Sequence, residues 1–396
     1  MNATAQSPSR LPTYTGYFGF VLIGWNAVLV PSLIRSIEHD FRQSDAAFAL
    51  FYFLSALVYA IGAFSGGILT ERAGRRIVLT AGALTLGTGL VGEALAPSWP
   101  VLILMAIPVN WGAGVIDGGT NGLFLDLYRQ ARASALSLLH VFFSVGALIA
   151  PFVIGLLLSG DITWRAVPLI TGACVLPLVV LLGRSAMPSG RHSSLQSHQD
   201  LPPERSSLLP FAGLAASIGL YVAAEIGVSS WLVRLLSDVP IATATGILSI
   251  FWGGLALGRL ASNRIADRFD YYAFTIGCIL LSSAALAVAL IVPWLPLAAV
   301  CFGFAGLFSG PIYPMIVAIG GNIYPHRLST LSGSLAAAAV VGSLIYPPLI
   351  GLMAASIGIR GGLMGAALLG IPEAIGIVVA WTAARRAAPL AAPETA

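Results

Sequence analysis

The chain is expected to be an all-α polytopic membrane protein, with twelve transmembrane helices arranged as two six-helix pseudo-symmetric bundles. Three observations predict this: an apolar composition, a series of long apolar runs, and a sequence frame that repeats half-way along. Hydrophobic residues fill 57% of the 396 positions and charged residues only 9%, whereas a soluble domain carries about 25% charge. Too little polar surface remains to coat a water-facing shell, so lipid must serve as the outer solvent. In lipid every backbone N–H and C=O needs an internal partner, which leaves helices or a closed barrel. The runs here are about twenty residues or longer, as a helical crossing requires, while barrel strands would be about ten residues of alternating pattern.

In chain order the spans are expected near 14–34, 47–69, 77–95, 101–125, 133–158, 166–182, 208–235, 242–265, 272–292, 296–319, 328–355 and 361–381. The breaks after the third and ninth are short and nearly uncharged, marked by Ala96-Pro97-Ser98 and Pro293-Trp294-Leu295-Pro296. The first span is long and holds Trp25, Asn26 and Pro31 without a small-residue cleavage site, so it reads as a helix and not as a removed leader. Trp99 and Trp294 fall where interfacial anchors belong.

All twenty basic residues are Arg. With the N-terminus inside, fifteen of them fall on inside segments and five (Arg35, Arg42, Arg165, Arg234, Arg360) outside. This positive-inside bias puts both termini in the cytoplasm of a bacterial inner membrane. The net charge of +4 then follows from topology and anionic lipid, and nucleic acid is not needed as a partner. Cys174, Cys278 and Cys301 sit inside apolar runs with no C-x-x-C spacing, as small hydrophobes do, and no metal or cofactor is expected.

One polar, Pro/Ser-rich stretch, 185–207, cannot be buried and reads as a cytoplasmic linker. It separates an N-terminal bundle, 1–184, from a C-terminal bundle with a short tail, 208–396. The halves echo each other at a shift of 196: Glu71-Arg72 recurs as Asp267-Arg268, Tyr128 as Tyr324, and Gly146, Pro151 and Gly155 as Gly342, Pro347 and Gly351. One register for all of them argues for duplication.

Gly67-Ile68-Leu69-Thr70-Glu71-Arg72-Ala73-Gly74-Arg75-Arg76 resembles the loop 2–3 signature of the major facilitator superfamily. Physically, Gly67 lets a neighbouring helix approach, Gly74 permits a tight turn, and the arginines hold the loop at an anionic face. The resemblance implies that Glu71, with Arg72, Arg75, Arg76 and the second-copy Asp267 and Arg268, belongs to a gate; the plainer reading is that the arginines only set topology. In the second copy Asn263 and Asp270 stand where glycines would be. Within the superfamily the chain is most similar to the fucose-permease-like sugar/proton symporters. The segments that carry this are Gly114-Val115-Ile116-Asp117-Gly118-Gly119-Thr120-Asn121, Leu139-His140-Val141-Phe142-Phe143 running to Pro151, and Tyr221-Val222-Ala223-Ala224-Glu225 with Trp231-Leu232. That group often carries N-D-x-L-x-P in helix 1; here Asn26-Ala27-Val28-Leu29-Val30-Pro31 lacks the acid.

An ionisable side chain deep in a span costs about 2.5 kcal/mol or more on insertion scales, which makes it a functional candidate. Asp117 and Asn121, four apart, share a face of span 4. Asp117 is read as a proton carrier or ligand partner, or else as an interhelical hydrogen bond, and Glu225 on span 7 carries the same pair of readings. Glu93, near the outer end of span 3 where it can reach water, and Glu373, beside Pro372 on span 12, are read as structural, and Asp126 as solvated or paired with Arg129. His140, well inside a run, suits either a proton relay or a neutral buried imidazole. Tyr52, Ser55, Tyr59, Gly62 and Gly66 form a small polar stripe on span 2, for packing or for an aqueous path. Trp25, Asn26, Tyr52, Tyr59, Asn121, Trp231, Trp252 and Tyr313 are the candidate substrate contacts.

The expected function is secondary active transport: proton-coupled uptake of a small polar solute, such as a sugar or polyol, by a monomer in lipid that alternates access between its halves. The alternative is proton-driven efflux of a drug-like molecule or metabolite. Ala150 and Ile154 replace two glycines of the antiporter pattern G-x3-G-P-x2-G-G in span 5, which weighs against it. An enzyme is not expected. The chain has no Lys for a phosphate loop, and neither H-E-x-x-H nor G-x-S-x-G occurs.

Overall fold

The computed structural model describes residues 10–128, 132–185, 187, 208–324 and 328–387. Among these, eleven continuous helical stretches are long and apolar enough to cross a membrane. The last, Leu331–Arg386, has 56 residues, about 80 Å at 1.5 Å per residue. It bends at Gly358, where φ is 71° and a side chain would be strained. It is therefore two crossings, and the spans number twelve.

Span 1 consists of α1 (Arg10–Ala27) and α2 (Leu29–Phe41), spans 2 to 6 of α3 (Asp45–Ala73), α4 (Arg75–Leu95), α5 (Trp99–Leu127), α6 (Arg132–Ser159) and α7 (Ala166–Arg184). Spans 7 to 9 are α8 (Leu208–Leu235), α9 (Ile241–Ile265) and α10 (Tyr271–Ile291); span 10 is α11 (Leu295–Ser309) with α12 (Ile312–Ile323). Spans 11 and 12 share α13 (Leu328–Leu368), and α14 (Gly370–Ala387) completes span 12. The interruptions have local causes. Pro31, Pro311 and Pro372 each lack the N–H that would continue the ladder. Ser44 caps span 2 by accepting from Ala47 N–H at 3.3 Å, and Asp270 caps span 9 by accepting from Ala273 N–H at 2.9 Å. Gly74, at φ 89°, makes the tight turn between spans 2 and 3.

Within the first six spans the pairs 2–4, 3–4, 3–6, 1–5 and 1–6 pack together, and within the second six the pairs 8–10, 9–10, 9–12, 7–11 and 7–12 do so. Each pair recurs six spans later. Across the middle, span 5 packs on span 8 and span 11 on span 2, again as equivalents. The repeated glycines serve this pattern: Gly146 lies against Val21 and Trp25 of span 1, and Gly342 against Gly219 and Ala223 of span 7. Gly155 meets Ala242 and Thr245 across the middle, as Gly351 meets Asp45, beside Trp231 of its own half.

An even number of crossings returns the chain to the face it started from, the arginine-rich face of Arg10, Arg75, Arg264 and Arg385. On the opposite face the two sets of six spans share one apolar core, running from Leu33, Phe48 and Ile154 to Trp231, Leu248 and Phe302. Towards the arginine-rich face the later spans have a core of their own, around Leu214, Ile316, Leu335 and Ile377. No atom approaches within 4 Å of where a side chain would start at Gly67 of span 2 or Gly333 of span 11. The halves thus meet on the opposite face and part on the arginine-rich one.

Polar groups lock that meeting. Arg35 donates to the carbonyls of Ser237 and Val239, each at 2.9 Å, and of Leu236 at 3.4 Å. Arg234 reaches Glu38 at 2.9 Å and Asp45 at 3.0 Å. The Tyr52 hydroxyl donates to Ser230 O at 3.1 Å. Arg234→Ala removes a partly exposed clasp worth about 1 kcal/mol, so it is expected to enrich the form open on this face roughly five-fold. Distances between spin labels at His39 and Ser237 would report it; an unchanged distribution refutes the clasp.

Several expectations need correction. Arg75 does not lie along a lipid face; it is 6% exposed, bonded to Asp126 and to Gly122 O at 3.3 Å. Asp126 is therefore held by Arg75, and Arg129 lies outside the described residues. Glu93 is 3% exposed and does not reach water. No helix approaches Gly67; the small residues that admit one are Gly62 and Gly66, against Trp111 and Val115 of span 4. Trp294 is 64% exposed, as an anchor should be, but Trp99 packs among Phe41, Phe48 and Phe51.

Candidate functional site

The site is built where spans 4 and 10 dock on spans 2 and 8. Gly114 lies directly against Tyr59 O and Ala63 N, and Gly310 against Leu255 O and Arg259 N. Without a side chain at either glycine the backbones close up. One turn further along, Asp117 and Tyr313 occupy equivalent positions of the two repeats, 196 apart. Asp117 accepts from Asn121 Nδ2 at 2.9 Å, and Tyr59 turns its hydroxyl to the same carboxylate. Asn121 Oδ1 is buried and unpartnered.

In the other half Glu225, 7% exposed, stands 3.7 Å from Arg259. The Arg259 guanidinium also donates to Ser144 Oγ of span 5 at 2.9 Å, and the Ser144 hydroxyl donates to His140 O at 3.1 Å. Arg259 thereby ties spans 7 and 8 to span 5 of the first half. Tyr221 lies beside Glu225 and Arg259. Tyr313 lies in the field of Asp117, Glu225 and Arg259 together. Both acids therefore act on one tyrosine. His140, one turn from Ser144, is exposed in mid-span, edge-on to Phe20 at 5.4 Å and within the field of Arg259.

Of the candidate substrate contacts, Tyr59, Asn121 and Tyr313 stand in this group. Trp25 donates to Thr171 of span 6 at 3.1 Å, inside the first half, and Asn26 is half-buried beside it. Tyr52, Trp231 and Trp252 belong to the packed closure. Trp231 donates to Pro347 O at 2.7 Å and Trp252 to Ser229 Oγ at 3.0 Å, with Phe143 tilted against the Trp252 ring. Of the gate candidates, Arg72, Arg76 and Arg268 are exposed at the arginine-rich face. The side chains of Glu71 and Asp267 lie outside the described residues.

Sequence reasoning passed over Arg259 and Tyr221. Arg259 had been counted among the inside arginines, although it lies six residues within its span. A cation buried that deep was the available signal. Tyr221 sits one helical turn before Glu225 on the same face, which was also readable.

Twelve crossings in two equivalent sets, with ionisable groups of both sets near Tyr313, are the architecture of a secondary transporter. The sequence model of the Major Facilitator Superfamily matches residues 16–231, and the chain belongs to that family, whose members are transporters and not enzymes. An uncharacterized transporter of this type, YfkL of Bacillus subtilis, is 22% identical over 87% of this chain and 89% of its own. A glucose/galactose transporter of Brucella abortus is 27% identical over 85% and 84%. Among solved structures, a bacterial homologue of the human lysosomal transporter Spinster superposes with a TM-score of 0.76 at 16% identity, covering 96% of this chain and 98% of that one. The E. coli fucose:proton symporter FucP superposes with a TM-score of 0.62 at 17% identity over 96% and 98%.

Proposed function

We propose that this transporter couples proton entry to the uptake of a small neutral hydroxylated solute, a sugar or polyol, across a bacterial inner membrane. The observation that carries this reading is the convergence of Asp117 and the Glu225–Arg259 pair on Tyr313. Arg259 is balanced by Glu225, so the site carries little net charge, and Tyr59, Asn121, Tyr221 and Tyr313 offer the hydroxyl and amide groups that bind a polyol. The distant glucose/galactose relative points the same way. In this reading the chain is a monomer with bundles 1–184 and 208–396 joined by 185–207, and the arginine-rich face and both termini are cytoplasmic. The form described then opens inward.

Protonation of Glu225 would release Arg259 from its acid. That loosens the tie between spans 7, 8 and 5 and lets the halves rock. Asp117, held by Asn121 and Tyr59, binds the solute or a second proton. The test is uptake of labelled hexoses and polyols into proteoliposomes under an imposed pH gradient, acid outside. Asp117→Asn and Glu225→Gln should each lower gradient-driven uptake roughly 5- to 150-fold, the span of a coupling energy of about 1–3 kcal/mol. Solute exchange without a gradient should persist in at least one of the two variants. If both keep full gradient-driven uptake, the coupling assignment is wrong. Gradient-driven export in the same vesicles would favour the efflux alternative.

A further inference from the structure

Where span 5 of the first half meets spans 8 and 10 of the second, an apolar groove of about 910 Å3 opens towards the membrane, within the size range of small-molecule sites. Leu148 and Phe152 form one wall, and Ile250, Leu257, Val300 and Phe304 the other. No charged side chain lines it, and its polar side chains are Thr243 and Ser249.

The groove exists because side chains are absent from one repeat only. Gly246, Ser249 and Gly253 are spaced three and four residues apart, on one face of span 8, and Gly303 adds to the same floor from span 10. The equivalent positions of the first set, 196 residues earlier, hold Leu50, Phe53, Leu57 and Ile107, all of them exposed. The register is secure, since Gly114 and Gly310 dock on Tyr59 and Leu255 in the same way. Close helix packing does not account for Gly246, because nothing lies within 4 Å of where its side chain would start.

The dimensions match one leaflet. Along span 8 the lining runs from Thr243 to Leu257, about 21 Å at about 1.5 Å per residue. Half a bilayer with its headgroups measures about 20–22 Å. The mouth lies at the start of spans 8 and 10, on the face opposite the arginine-rich one, with the exposed Trp294 next to Leu295 where an interfacial anchor belongs. Ser249 lies about 9 Å below Thr243, just beneath a headgroup layer of about 5–7 Å and so at the depth of ester carbonyls. Its Oγ is 6% exposed as part of its residue, buried on the groove floor, and has no hydrogen-bond partner. Water does not settle in an apolar groove, and a polyol would find too few partners. A helix of a second copy would bridge walls that belong to two halves in relative motion. A flexible chain can follow both walls, and without one the lining forfeits its dispersion contacts.

We propose that this groove is a phospholipid site: one acyl chain lies between span 5 and spans 8 and 10, and the Ser249 hydroxyl donates to the ester carbonyl above it. The proposal does not depend on proton coupling or on the identity of the solute.

The test is photolabelling of the full chain in proteoliposomes of phosphatidylethanolamine and phosphatidylglycerol, with a diazirine on one acyl chain of the latter and adducts mapped by mass spectrometry. Peptides of spans 8 and 10 should be labelled roughly five-fold more than the equivalent peptides of spans 2 and 4, a preference of about 1 kcal/mol. Gly246→Leu puts the first repeat's side chain into open space and should bring the two seams to parity. Ser249→Ala should lower the excess about two-fold or more, and it carries the test if Gly246→Leu does not fold. Equal labelling of both seams in the native protein overturns the proposal, as does an excess that survives both substitutions. So does labelling suppressed by excess hexose, since the groove would then be a solute path. A disulfide formed between two copies of Thr243→Cys in the same vesicles also overturns it, since a second copy would then fill the groove. No gradient is applied, so this assay fails separately from the uptake assay.

Discussion

Arg259→Met is expected to abolish gradient-driven accumulation and to destabilise the protein. The substitution leaves Glu225, 7% exposed, without its cation and deprives Ser144 of its donor from the opposite half. Removing one partner of a buried pair costs about 3–5 kcal/mol, most of it the penalty of the charge left behind. The lower end applies here, because the pair is 3.7 Å apart and Arg259 is 18% exposed. About 3 kcal/mol corresponds to more than a hundred-fold loss. Adding Glu225→Gln removes the orphaned charge, so the double variant should recover most of the melting temperature but not the accumulation. A single variant that melts and accumulates like the native protein would show that the tie is incidental.

Gly146→Leu and Gly342→Leu should each prevent assembly of their own half. At Gly146 the first side-chain atom would lie on Val21 O and 2.9 Å from Trp25 N; at Gly342 it would lie on Gly219 O and 3.2 Å from Ala223 N. Backbone cannot yield as a flexible side chain can, so the cost should reach or exceed the about 1–3 kcal/mol usual for overpacking. The readout is the yield of monodisperse protein and its melting temperature in detergent. Gly67→Leu is the matched control: nothing lies within 4 Å of that position, and the melting temperature should not move. Tolerance of leucine at both repeat glycines would refute the close packing of spans 1 with 5 and 7 with 11.

Those glycines show how far the sequence could be read. The shift of 196 located Gly146, Gly155, Gly342 and Gly351 before any coordinates, and each pair has one structural duty: the first seats a helix within its half, the second joins the halves. The acids were equally legible, because Asp117 and Glu225 are anomalous in apolar runs whatever surrounds them. Arg259 was not, since a count of basic residues by side treats a long flexible cation near a span end as a topology marker. Its direction depends on Ser144 and Glu225, which are distant in sequence. Trp231 and Trp252 look alike in sequence to any ring that stacks on a sugar, and burial alone decides between sealing and binding.

The clasp made by Arg35 grips main-chain oxygens and no acids. A carbonyl has no proton to gain at any physiological acidity, so acidification can weaken the hold of Arg234 on Glu38 and Asp45 but leaves that of Arg35 untouched. Acidity alone therefore cannot spring this door. If the proposed proton coupling holds, some of the work of opening it has to come from the cargo, and an empty carrier leaks few protons.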